Sequence, residues 1–260
     1  MSNSHFENYP FFTVLTASLN CASTIKQNVE SIKRQRFQNF EHIVIDGGSS
    51  DGTIDILSDA GGSYNLIWIS EPDEGIADAL NKGVTKARGR YIIVIQADDR
   101  LLMPDTLKKV YSVLNSEYVD ICSFPVILQH PVKGHVLRKP INRLWWNHFK
   151  FIFPHQGCFV HKRVFEKLGG FRKEFKINMD YDFFYRALAQ KMSINFSEFP
   201  VALMGGCGIG SDYRNLMKRL EEERLVQKLN ERNPLWKTAQ LFFSWIYRPY
   251  KTGRISKRNS

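Results

Sequence analysis

The sequence predicts an α/β protein built on a mainly parallel, doubly wound sheet. Three observations point there. Apolar, β-rich runs recur through about the first hundred residues, amphipathic helical stretches separate them, and polar residues collect where those runs end. In such sheets, ligands bind beyond the carboxyl ends of the strands.

Residues 11–17 (FFTVLTA) form the first strand. Residues 23–36 follow as a helix, with Ile25, Val29 and Ile32 on one face and Ser23 as its N-cap. A second buried strand, residues 42–46 (HIVID), ends in Asp46 and Gly47-Gly48, and residues 52–57 begin a short helix. Residues 66–69 form the third strand, and residues 75–87 a helix with Ile76, Leu80, Val84 and Ala87 in phase. The fourth strand, residues 91–95 (YIIVI), runs into Gln96-Ala97-Asp98-Asp99, and a helix starts at Pro104. Polar residues therefore sit at the strand ends: Ser18 and Asn20, Asp46, Glu71 and Asp73, then Asp98 and Asp99. The second half is less regular, with strands at 119–128 and 157–160 and helices at 163–168 and 178–190. From Asp212 onward the pattern becomes long helix and basic tail, with Leu216, Leu220, Leu225 and Leu229 near helical spacing and a new segment at Pro234.

A chain of 260 residues buries a sizeable core without disulfides. Cys21, Cys122, Cys158 and Cys207 are scattered, so neither a zinc site nor a disulfide framework is expected. Neither a signal peptide nor a membrane span is read, which fits the cytoplasm. The net charge is +10, and +8 of it falls between Arg214 and Ser260. That excess points to a polyanionic surface or to a solvated tail.

Four constellations carry chemistry. Asp98 and Asp99 pair two carboxylates at the end of an apolar strand, where a hard divalent cation and phosphate oxygens would balance them; the plain alternative is a turn cap before Pro104. Asp180 and Asp182 fall where a helix begins, and a carboxylate there either accepts a proton from an incoming hydroxyl or simply meets the helix dipole. The turn at 47–53 (GGSSDGT) leads into a helix and lacks the Lys of a P-loop. His155-Gln156 follows Pro154 and reaches the crevice by position only.

The order and spacing of TASLN (16–20), VIDGGSSDGT (44–53), SEPDEGIADALNKGVTKARGRYI (70–92), QADD (96–99), PHQG (154–157), LGGF (168–171) and MDYDFFYR (179–186) resemble the family 2 glycosyltransferases. The stretch at 70–92 is most similar to the branch that builds bacterial surface polysaccharides, including colanic acid and O-antigen enzymes.

The resemblance implies a GT-A fold with a nucleotide-binding N-terminal half and a C-terminal helical extension. Its expected divisions are a tail at 1–9, a catalytic domain at 10–211 and an aromatic, basic extension at 212–260. It implies an inverting transfer of a sugar from a nucleotide diphosphate to a hydroxyl of a glycan or lipid-linked glycan. By motif, Asp180 becomes the catalytic base. Asp98 and Asp99 hold Mg²⁺ or Mn²⁺, and Thr16, Ser18, Asn20, Asp46, Asp73, Asn81, Gln96 and Asp98 border the donor. His155, Gln156 and Asp182 are expected near the acceptor or donor sugar. The sequence departs from the family at Leu19, Gly47, Gln96 and Met179, which bears on the nucleobase rather than the reaction; no QxxRW motif occurs.

Residues 235–247 (LWKTAQLFFSWIY) are too short to span a bilayer, and the basic run that follows suits the inner face of an anionic plasma membrane. The alternative is packing on the catalytic domain or on a second subunit. Two other functions compete. A sugar-nucleotide nucleotidyltransferase would need a Gly-rich, basic loop after the first strand, which TASLN is not. A nucleic-acid-binding protein is suggested by the tail alone, and no specific nucleic acid is expected.

Overall fold

The computed structural model describes residues 9–116, 118–130, 132–205 and 213–256. Its centre is a seven-stranded sheet. β1 (Phe12–Ser18) pairs in parallel with β2 (Phe40–Asp46) on one side and β4 (Tyr91–Val94) on the other, and β2 pairs in parallel with β3 (Leu66–Ser70). β1 and β2 are buried along their whole length, polar Thr13, Thr16, Glu41 and His42 included, so neither alternates exposed and buried residues. Beyond β4, β9 (Cys158–His161) runs antiparallel between β4 and β6 (Ile121–Ser123), and β10 (Ile194–Phe196) adds parallel to β6. The sheet is mixed and mainly parallel.

Helices cover both faces. Leu15, Ile43, Ile45, Ile92 and Val94 pack with α3 (Ile76–Lys86), α5 (Lys162–Leu168) and α6 (Met179–Ala189). Phe12, Val14, Ile93 and Ile95 pack on the other face with Ile32 of α1 (Ala22–Lys33) and with α4 (Thr106–Leu114). α2 (Thr53–Ala60) sits beside α1 through Leu57. The cap of α1 is Cys21, without a side-chain bond, so Ser23 lies inside the helix. α4 starts two residues after Pro104, at Thr106.

A four-stranded sheet is formed by β5 (Arg100–Leu101), β11 (Ala202–Met204), β7 (Val126–His130) and β8 (Gly134–Arg138). The strand expected at 119–128 is therefore two strands in two sheets. The break falls at Pro125, which has no N–H for a ladder. Phe124 N instead donates to Gly157 O.

α7 (Leu216–Asn230) packs on α6, and α8 (Pro234–Ser256) packs on α7. Leu216, Leu220 and Val226 are buried in α7, while Leu225 and Leu229 are exposed. At about 100° per residue, Leu225 lies half a turn from Leu216, so the four leucines do not share a face. The expected boundary at 211 falls outside the described residues, as does Cys207. Cys21, Cys122 and Cys158 are free thiols. No helix among the described residues is long and apolar enough to cross a membrane.

Candidate active site

Register builds the first wall of the cleft. Ser18 of β1 lies opposite Asp46 of β2, which lies opposite Ser70 of β3, so three polar side chains share one level and one face. Asp46 is fully buried. It accepts from Ser18 Oγ (2.9 Å), Ser70 Oγ (2.8 Å), Ser49 Oγ (2.5 Å), Gly48 N (3.0 Å) and Ser49 N (2.8 Å). Burial opposes its ionised form, but the Ser49 hydroxyl and amide, with the Ser70 and Ser18 hydroxyls, outweigh it and hold the carboxyl below the usual range. Asp46 thus anchors the glycine turn. Asn20, at φ 51°, accepts from Ser50 N and ties the end of β1 to the same turn. A Cβ at residue 47 would stand 2.7 Å from Asp73 Oδ2. Gly47 leaves the space into which Asp73 presses.

The loop after β4 forms the floor. Asn28 of α1 donates through Nδ2 to Gln96 O (2.8 Å) and Asp99 O (3.0 Å), fixing the loop from beneath. Asp99 is 1% exposed; Gly205 N reaches its Oδ1 (2.8 Å) and Gln96 N its Oδ2 (3.2 Å). Burial, then the charge of Asp98, push the Asp99 carboxyl well above the usual range. No hydrogen bond from a described residue reaches the half-buried Asp98 carboxylate, against which Gly205 packs; a Cβ there would stand 2.5 Å from Oδ2. Among the described residues, no group of three His, Cys, Asp or Glu side chains is placed to hold a metal ion. One carboxylate with open lone pairs, backed by a second, still fits a hard cation that takes its other oxygens from a diphosphate.

The second wall comes from α6 and a one-turn 3-10 helix (His155–Gly157). Asp180, in the first turn of α6, accepts from Tyr181 N at Oδ1 (2.7 Å) and faces His155 Nδ1 at Oδ2 (3.0 Å). Burial disfavours a charged His155, but its bond to Asp180 and the charges of Asp180, Asp99 and Asp98 outweigh this and raise its pKa. His155 therefore stands electrostatically between the acids of the two walls. A cavity of about 30 Å³ is lined by Gln96, His155 and Asp180 together with Leu80, Phe171 and Phe184. Gln156 is buried beside Asp99, and its Oε1 has no hydrogen-bond partner.

Three expected site residues have their polar groups taken up by the fold. Thr16 is fully buried: its hydroxyl donates to Ile95 O (2.7 Å) and so accepts from His42 Nε2 (3.0 Å), whose Nδ1 meets Tyr64 Oη (2.7 Å). It sits two residues, about 6.6 Å, inside the strand tip. Asn81 spends both ends of its amide on Phe171, donating to its carbonyl and accepting from its N–H, each at 2.7 Å. Asp182 is fully buried between Arg172 (3.0 Å) and Arg186 (2.8 Å) and also accepts from Asn230. Helix positions i and i+2 do not face one another, so Asp182 points away from the wall that Asp180 joins.

One residue carries no signal in the sequence. Glu222 of α7, 7% exposed, accepts from three successive amides, Lys176 N (3.0 Å), Ile177 N (2.9 Å) and Asn178 N (2.9 Å). It grips the segment that leads into Asp180 from 46 residues away in sequence.

The family described as Glycosyl transferase family 2 matches residues 13–178, more than half of the chain. The chain is a family 2 glycosyltransferase. The match takes in β1 to the approach to α6, and so every strand tip described above. A PGL/p-HBAD biosynthesis glycosyltransferase of Mycobacterium bovis (strain BCG / Pasteur 1173P2) is 30% identical to this glycosyltransferase over 190 residues, 69% of this chain and 70% of the relative. The chondroitin synthase of Pasteurella multocida is 24% identical over 193 residues, 72% of this chain and 20% of that one. Among solved structures, Staphylococcus aureus TarS 1–349 in complex with UDP-GlcNAc superposes with a TM-score of 0.70 at 17% identity, covering 88% of this chain and 69% of that one. The mannosyltransferase PcManGT of Pyrobaculum calidifontis, in complex with GDP-Man and Mn²⁺, gives 0.65 at 18% identity, covering 91% and 69%. The fold is GT-A.

Proposed function

We propose that this glycosyltransferase moves a sugar, with inversion, from a nucleotide diphosphate to a hydroxyl of a glycan or lipid-linked glycan in surface polysaccharide biosynthesis. The observation that carries the reading is His155, which is bonded to Asp180, feels the charges of Asp99 and Asp98, and lines one cavity with Asp180 and Gln96. A structural neighbour that holds GDP-Man with Mn²⁺ and a relative named for PGL/p-HBAD biosynthesis support it.

In this reading Ser18, Asn20, Asp46 and Asp73 shape the turn that takes the nucleotide, and Gln96 borders the sugar. Asp98, backed by Asp99, would hold Mg²⁺ or Mn²⁺, which when bound supplies Lewis-acid stabilisation of the departing diphosphate. Asp180 takes the proton of the acceptor hydroxyl. The acceptor oxygen forms the new bond to the anomeric carbon, and the carbon–oxygen bond to the diphosphate breaks with its electron pair. Attack from the face opposite the leaving group gives inversion. His155 fixes the carboxylate's orientation. The enzyme works in the cytoplasm, with a peripheral contact to the anionic inner leaflet through its tail.

A thermal-shift screen of UDP-, GDP- and dTDP-sugars with and without Mn²⁺ tests the reading. One nucleotide class at about a hundred times its dissociation constant adds about 2.7 kcal/mol of stability. The shift needs Mn²⁺, and the same donor then transfers its sugar. Equal melting in every mixture contradicts the proposal.

A further inference from the structure

α8 has two apolar faces, and only one of them is used. On the inner face Trp236 stacks on His148 at 4.3 Å, Phe243 packs on Trp146 and Phe149, and Tyr247 lies under Lys150. Gln240 is buried and donates to His148 O. These positions recur every three or four residues, as one side of a helix must. This half of the tail packs on the catalytic domain.

The opposite stripe carries Leu235, Leu241, Phe242, Trp245 and Ile246, each between 53% and 78% exposed. A continuous apolar stripe of that kind marks an interaction surface. From Pro234 to Ser260 the chain has six Lys or Arg and neither Asp nor Glu. A second copy of the chain would set those like charges against each other across a two-fold axis. A bilayer with anionic headgroups answers both features: the acyl boundary takes Phe and Leu, the headgroup level suits Trp, and the phosphates pair the cations.

We infer that the outer face of α8 is a docking surface for an anionic lipid bilayer, on which the helix lies in the plane of the interface while its inner face holds the catalytic domain. The proposal deepens the reading of a lipid-linked acceptor. Its test reads vesicle binding, not turnover, so the two can fail separately.

The test is flotation of the full chain with vesicles of phosphatidylcholine alone or with about one-third phosphatidylglycerol. The protein floats with the anionic vesicles and stays behind with the neutral ones. Replacing Phe242→Ser and Trp245→Ser together lowers the bound fraction about tenfold, with the melting temperature unchanged because both side chains already face solvent. Lys237→Glu, which leaves the apolar stripe intact, lowers it about fivefold. The inference is overturned if the wild-type chain stays behind with both vesicles, or if the double variant floats as well as wild type. It is also overturned if sedimentation velocity shows a dimer that the double variant abolishes and no flotation is seen.

Discussion

The two walls of the cleft are held in place by different means. The polar groups of the near wall sit at the tips of adjacent parallel strands, where register alone sets Ser18, Asp46 and Ser70 level. The far wall has no such grid. Asp180 is placed by the first turn of α6, by His155 and by Glu222 reaching from α7. A wall set by sheet register is local and tolerant; a wall set by long-range polar clamps depends on a few side chains. The proposed chemistry falls between them.

The largest break in this comparison is on the far wall. Asp180→Asn keeps the size of the side chain and its bond from Tyr181 N but removes the proposed base, so turnover falls about 10²- to 10⁴-fold while the melting temperature changes little. Steady-state kinetics with differential scanning calorimetry checks both halves. Asp182→Asn does the reverse. Two residues along the same helix, it leaves Arg172 and Arg186 without their buried partner, and stability drops by about 3 kcal/mol in a denaturant titration. Donor affinity of the surviving folded protein is unchanged.

Glu222→Gln sharpens the contrast. One of its two acceptor oxygens becomes a donor facing backbone N–H groups, so the approach to Asp180 shifts. The expected result is a fall in kcat of about tenfold with donor KM unchanged. A parallel rise in donor KM would mean that α7 supports the whole cleft rather than its far wall.

The smallest effect belongs to the core beneath the near wall. Burial lowers the His42 pKa from 6.5 to about 3. Below pH 6.5 the unfolded chain takes up this proton and the folded one does not. The stability linked to neutral His42 is therefore complete above that pH and lost as pH falls toward about 3. In a His42→Gln variant, the slope of melting temperature between pH 6.5 and 5 is flatter than in wild type; equal slopes would remove His42 from the account.

The sequence displays the near wall because parallel strands convert chain order into spatial order. HIVID followed by Gly-Gly is enough to put Asp46 at a tip, and YIIVI does the same for Asp98 and Asp99. Depth along a strand is less visible: Thr16 lies two residues before Ser18 yet belongs to the core relay of His42 and Tyr64. Helix geometry distinguishes Asp180 from Asp182, since 200° separates them at about 100° per residue, but which of them meets the cleft follows from the Arg172 and Arg186 cluster. Nothing in Glu221-Glu222-Glu223 marks the middle acid, because its partners are backbone amides. The tail shows why two sequence readings of one segment need not exclude each other, since opposite faces of α8 bear different surroundings.

The most direct test of the cleft is calorimetric titration of the cognate nucleotide sugar, with and without Mn²⁺, into wild type, Asp98→Asn and Asp180→Asn. The account predicts Mn²⁺-enhanced binding by wild type and Asp180→Asn alike, and loss of the enhancement in Asp98→Asn. Mn²⁺-enhanced binding that survives in Asp98→Asn, or disappears in Asp180→Asn, would contradict it.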